Sequence, residues 1–275
     1  MLGFLTTLVV LYLGLVLLLV VFEKSFIFFP QFPGRLSGDW HPEGLPVEDV
    51  WLRAADAVKL HAWWISAPGA EFTFVAFHGN AANIANREDI YRFLRTVPVN
   101  VLAVEYRGYG KSEGSPSEAG LYLDAEAAYD HLTKQRGIAP TRVIAFGASL
   151  GAAVAADLAA RREVGGVVLE APFPSTAAVA RRVYWFLPGL GLLARTKLDI
   201  GSKLEHIRAS LLVVHCTQDP VIAIDLGEEV FQRAHEPKRF VRLEGVGHEQ
   251  GPLVAPEQYR RELTAFLEGI RSKKQ

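Results

Sequence analysis

From Val47 onward, short apolar runs alternate with stretches of helical periodicity. The runs predict strands over Val47–Arg53, Lys59–Ser66, Thr73–Phe77, Val99–Glu105, Arg142–Phe146, Gly166–Glu170, Leu211–His215 and Arg239–Leu243. Several, such as Val101–Val104 and Leu211–Val214, are apolar at every position. Continuous apolarity over so short a length fits strands covered on both faces, as in a parallel sheet. The first two runs differ. Leu60, Ala62 and Trp64 alternate with His61 and Trp63, which suits an antiparallel hairpin at one sheet edge. Helices are predicted over Ile84–Thr96, Ser117–Gln135, Leu150–Arg162, Ile222–His235 and Pro256–Arg271. Repeated strand–helix–strand units define an α/β protein, with a mostly parallel sheet and helices on both faces. Gln31–Pro46 is broken by Gly and Pro and reads as a connecting loop. Residues 174–205 form the one long interval without a strand. They are rich in large apolar groups, including Val183–Leu187, Leu190, Leu192 and Leu193. That interval reads as a small cap inserted between strands, suited to an oily ligand.

The amino terminus carries a different pattern. Leu2–Phe22 is a 21-residue stretch without a charge. At 1.5 Å per residue it would extend about 31 Å as a helix, close to the hydrocarbon thickness of a bilayer. A cleaved signal peptide would start with basic residues and end in a small-residue site. Here no Lys or Arg precedes the run and no alanine occurs before Ala54. A core helix would rarely stay apolar on every face for so long. The expectation is a retained single-pass transmembrane helix, with residues 1–30 as anchor and juxtamembrane segment and residues 31–275 as the folded domain. Lys24 and Arg35 lie on the carboxyl side of the run, which leans the folded domain towards the cytoplasm while leaving its side open. Phe26–Phe29 follows the anchor, and the pattern does not decide between the membrane interface and packing on the domain.

Composition narrows the function classes. With 29 basic and 30 acidic residues among 275, the net charge is -1, which argues against nucleic acid as the main partner. The lone cysteine, Cys216, excludes an internal disulfide framework and a thiolate zinc cluster.

The chemistry-bearing residues stand at predicted strand ends. Gly147-Ala148-Ser149-Leu150-Gly151 matches the turn that lifts a serine between a strand and a helix. A small-residue helix follows it, and its amino terminus favours an anion. A serine hydroxyl needs a base to become nucleophilic, and on such a sheet the acid and histidine follow in that order. Asp219 comes just after the strand Leu211–His215, and His248 just after Arg239–Leu243. Asp219 also suits a turn or cap residue ahead of the next helix. Glu170, at another strand end, is a rival acid. The loop His78-Gly79-Asn80 would supply an amide from Asn80, beside that of Leu150, to an oxyanion. His78 reads as a residue that fixes the loop. Tyr106–Gly114 lacks the glycine spacing of a phosphate loop or dinucleotide fingerprint, and reads as a tight loop at the rim.

Together these residues resemble the α/β-hydrolase family, and more narrowly its membrane-anchored lysophospholipase, monoacylglycerol lipase and protein depalmitoylase relatives. The resemblance rests on the N-terminal anchor with the Phe29-Pro30 after it, His78-Gly79-Asn80-Ala81-Ala82-Asn83, the Tyr106–Glu118 loop, Gly147–Gly151, Leu169–Phe173, Asp219 and Gly247-His248. It implies an eight-stranded sheet with the second strand antiparallel. It also implies hydrolysis of carboxylic esters, thioesters or, more rarely, amides through Ser149, Asp219 and His248, without a cofactor or metal. Pro220 after the acid departs from the family pattern. The expected partners are the bilayer and a small-molecule or lipid acyl substrate, with oligomeric state open. A peptidase using the same triad, with Glu170 as its free-amine site, and a non-catalytic membrane scaffold are the competing readings.

Overall fold

The computed structural model describes residues 2–272 apart from Pro188 and Val246, and only the backbone of Leu2, Leu5, Leu8, Val9 and Leu192. The Leu192 side chain expected in the cap therefore lies outside the described residues. Eight strands form one sheet: β1 (Val47–Arg53), β2 (Lys59–Ile65), β3 (Phe72–Phe77), β4 (Val99–Val104), β5 (Val143–Ala148), β6 (Gly166–Glu170), β7 (Ser210–Cys216) and β8 (Lys238–Leu243). Their order is β1-β2-β4-β3-β5-β6-β7-β8. Strand β2 pairs antiparallel with both β1 and β4, and every other neighbouring pair is parallel. The expected edge hairpin and antiparallel second strand are both present.

The helices are α1 (Leu2–Val21), α2 (Glu23–Ile27), α3 (Glu88–Leu94), α4 (Glu118–Asp130), α5 (Leu150–Arg161), α6 (Thr176–Val183), α7 (Leu190–Leu193), α8 (Ile200–Lys203), α9 (Ile224–Arg233), α10 (Gly251–Val254) and α11 (Pro256–Ser272). Alternate strand residues point to opposite sheet faces, and both faces are covered. Val75, Ala145 and Val213 join a core with α4, α5 and α9, whereas Phe74, Ile144 and Leu212 join one with α3 and α11. This double burial is why the central strands β3–β7 read as mostly apolar runs.

Two predicted helix starts are corrected. The segment predicted as Ile84–Thr96 opens with a 3-10 turn, because the Asn83 carboxamide accepts from the amides of Ala85 and Asn86. The helix predicted from Ile222 begins at Ile224, because the Asp219 carboxylate holds the amides of Val221 and Ile222 in a turn.

Between β6 and β7 the chain leaves the sheet as α6, α7 and α8. Two carboxylates fasten this excursion. Glu118 accepts from the amides of Lys197 and Leu198, at 2.6 and 2.9 Å. Glu23, in α2, accepts from those of Arg195 and Thr196, at 3.0 and 2.9 Å. The N-terminal segment is thereby tied to the excursion. It is also tied to the sheet: Phe28 is buried, Phe29 bridges Ala81, and the Phe29 amide donates to the Asn80 carbonyl. Within Phe26–Phe29, Phe28 and the Phe29 backbone therefore pack on the domain, whereas the Phe26 and Phe29 side chains stay partly exposed. Among the described residues no helix is long and apolar enough to cross a membrane. The expected transmembrane helix is thus not established by these residues.

Candidate active site

The site gathers at the carboxyl ends of the parallel strands, where loops from several strands converge. Strand β5 ends at Ala148, α5 begins at Leu150, and Ser149 makes the turn between them with φ 52° and ψ −116°. A non-glycine residue at positive φ is strained, and such strain persists only where packing enforces it. Here the two glycines allow the enforcement. A Cβ on Gly147 would lie 2.0 Å from the Gly151 carbonyl oxygen, and one on Gly151 would lie 2.0 Å from that of Phe77. The helix thus presses directly on β3 and β5. The Ser149 amide donates to the Glu170 carbonyl on β6 at 2.9 Å.

The structure brings the three predicted side chains together. His248 Nε2 lies 2.9 Å from Ser149 Oγ, and His248 Nδ1 lies 2.8 Å from Asp219 Oδ2. Asp219 Oδ1 accepts from Val221 and Ile222 N–H at 2.8 and 2.9 Å, so it holds a turn before α9 rather than capping the helix, and this uses a different oxygen from the one that meets His248. His215 Nε2 donates to the Ile222 carbonyl and lies 3.5 Å from Asp219 Oδ2. Burial works against ionisation of Asp219. Hydrogen bonds from His215 and His248 outweigh it and hold the carboxyl well below the usual carboxylate range. Burial likewise disfavours a charged His248 ring. The hydrogen bond to Asp219 and its negative charge outweigh that, so the imidazole titrates above its usual value.

Glu170 is engaged elsewhere. Its carboxylate accepts from the Gly251 amide at 2.6 Å and the Tyr259 hydroxyl at 3.1 Å, which fixes the chain just after His248. Full burial pushes this carboxyl up to about 7, against those two hydrogen bonds. His78 is buried, its ring reaching the Gly79 carbonyl at 2.8 Å and Glu105 at 3.1 Å. Tyr106 and Tyr109 donate to the carbonyls of His78 and Asn80, at 2.7 and 2.8 Å. These two tyrosines hold the Asn80 loop, a role sequence reasoning missed. Their place in the Tyr106–Gly114 rim loop was the available signal.

Leu150 opens α5, so its N–H has no acceptor within the helix. The Asn80 carbonyl and side chain are committed to Phe29, Tyr109 and Ile27. Asn80, Ser149 and Leu150 line a cavity of about 280 Å3, otherwise walled by Thr176 and by apolar groups of α2, α6, Phe29, Phe173, Leu198 and the Val221–Ile222 turn. A serine with a hydrogen-bonded base and oriented carboxylate, beside such a cavity, has the parts for nucleophilic attack on an acyl carbonyl. Among the described residues, no group of three or more His, Cys, Asp or Glu could hold a metal ion.

Known proteins are similar to this chain. The serine aminopeptidase S33 family model matches residues 69–197, a stretch that includes Ser149 but neither Asp219 nor His248. An uncharacterized protein of Mycobacterium tuberculosis is 34% identical over 247 residues, 88% of this chain and 85% of its own. The human alpha/beta hydrolase domain-containing protein 17B is 34% identical over 206 residues, 73% of this chain and 68% of its own. Among solved structures, an esterase from Pyrococcus furiosus aligns with a TM-score of 0.70 at 23% identity, over 88% of this chain and 97% of that one, a likeness of fold. With a hydrolase-domain relative matched over more than two thirds of its length, and with the same eight-stranded sheet, this chain belongs to the α/β-hydrolase family.

Proposed function

We propose that the chain is a membrane-anchored serine hydrolase of carboxylic esters or thioesters of lipid-like acyl groups. The observation that carries the reading is His248, within hydrogen-bond reach of both Ser149 Oγ and Asp219 Oδ2. The Ser149 hydroxyl attacks the acyl carbonyl as His248 Nε2 takes its proton. Asp219 holds the imidazole by Nδ1–H and stabilises its charged form. The amides of Leu150 and Asn80 bind the oxyanion. His248 then protonates the departing alcohol or thiol, and water releases the acid by the reverse sequence.

Two observations favour an apolar acyl substrate. The cavity at Ser149 has no charged side chain on its wall. Trp185 and Phe186, in the β6–β7 excursion, are 79% and 55% exposed, which suits an apolar surface resting on lipid. The anchor is argued from α1. Counted with its undescribed side chains, the helix runs 20 residues without a charge. Leu11, Leu13, Leu17 and Val21 are more than half exposed, which water would penalise and a bilayer would not. A peptidase reading would need a carboxylate to receive a free amine, and Glu170 is committed to Gly251 and Tyr259.

Ser149→Ala is expected to abolish turnover of p-nitrophenyl esters, and the wild-type chain to prefer them over aminoacyl-nitroanilides. Unchanged ester turnover in the variant would defeat the serine mechanism. A preference for the anilides would favour the peptidase.

A further inference from the structure

A second cavity, of about 210 Å3, lies at the root of α1. Leu19 and Val20 line it from the last turn of α1, facing Ala180 of α6 and Leu193 of α7. Its wall is apolar except for Glu23, Thr176 and the tip of Tyr184, and the Glu23 carboxylate is already engaged by the amides of Arg195 and Thr196. This cavity and the one at Ser149 share five wall residues: Phe26, Ile27, Thr176, Val179 and Val183. A single layer of side chains therefore separates them. That layer is mostly aliphatic or aromatic, is built from two short helices, and is half-exposed at Phe26 and Val183.

Resting on the acyl-hydrolase reading above, we propose that the two cavities are one acyl-binding channel. The carbonyl end of a long acyl chain lies at Ser149, and its distal methylenes pass the Phe26–Val183 layer into the cavity at the root of α1. The segment after the anchor thus forms part of the substrate site, and bulk in the outer cavity sets the longest chain hydrolysed. The chemistry of the two cavities selects this occupant. The inner cavity begins at a nucleophile, both cavities are mostly apolar, and methylenes moved from water into such a place are stabilised. The outer cavity is also where a bilayer-borne chain would first meet the domain.

The test separates the outer cavity from the inner one. Ala180 and Leu193 line the outer cavity alone, and neither is fully buried, so bulk there strains no core. Ala180→Trp and Leu193→Trp are made in the full chain and assayed in mixed micelles with p-nitrophenyl butyrate and p-nitrophenyl palmitate. Circular dichroism checks folding, and two variants guard against failure of one. The readout is the ratio of kcat/KM for palmitate to that for butyrate. We expect this ratio to fall at least tenfold in both. A ratio within twofold of wild type in a folded variant overturns the channel. The serine reading is tested apart, by labelling of the wild-type chain with a small ethyl fluorophosphonate. Loss of that labelling would defeat the reading on which the channel rests, whereas labelling with an unchanged ratio defeats the channel alone.

Discussion

His248 sits between a hydroxyl and a carboxylate, and its protonation decides whether Ser149 has a base. Only the neutral ring can accept the proton, and Asp219 raises the ring's titration above its usual value of 6.5. Activity should therefore rise with pH through a midpoint above 6.5, as the acid limb of kcat/KM against pH. Asp219→Asn removes the charge that raises it. That variant should lose roughly 10⁴-fold in kcat, and the His248 ring, followed by NMR, should titrate lower than in wild type. An unmoved midpoint would mean that Asp219 does not govern the ring. In stability the signs oppose. The raised imidazole favours the fold below its ordinary value and loses that favour as pH climbs through its folded value. The depressed Asp219 carboxyl favours the fold above its ordinary 3.8 and loses that favour as pH falls. The three side chains were legible in the sequence because each follows a strand-like segment, in the order the fold requires. Glu170 was misleading for the same reason. It also stands at a strand end, and only the tertiary contacts to Gly251 and Tyr259 separate it from the acid.

At the scale of elements, the junction of β5 and α5 carries the strain that presents Ser149. Gly151→Ala would force a methyl against the Phe77 carbonyl, a backbone atom that cannot swing aside. Overpacking of this kind costs typically 1–3 kcal/mol. A matching drop in stability from urea unfolding is expected, with loss of activity as the serine shifts. A variant as stable and active as wild type would show that the close approach is not required. The central strands β3–β7 were readable because burial on both faces leaves few polar positions to confuse the period. Helix starts at Asn83 and Asp219 were not, because there a side chain captures amides that periodicity would assign to the helix. The Phe26–Phe29 segment was ambiguous by nature. Its apolarity suits lipid and protein alike, and the deciding contacts with Asn80 and Ala81 are far away in sequence.

For the whole molecule, the account joins an apolar N-terminal helix to a hydrolase domain through a segment that also walls the site. The helix is expected to hold the chain on membranes. Leu11→Arg combined with Leu13→Arg adds two charges near its middle, each costing about 2.5–3.5 kcal/mol in a bilayer. In liposome flotation the wild-type chain should rise with the vesicles and the double variant should stay in the load. Equal flotation of both would remove the anchor from the account and leave the triad untouched. The triad itself is the central claim, and peptide mapping after fluorophosphonate labelling addresses it most directly. The wild-type chain should gain one adduct, on the tryptic peptide that contains Ser149, and Ser149→Ala should gain none. An unlabelled wild-type chain, or an adduct that persists in the variant, would contradict the account.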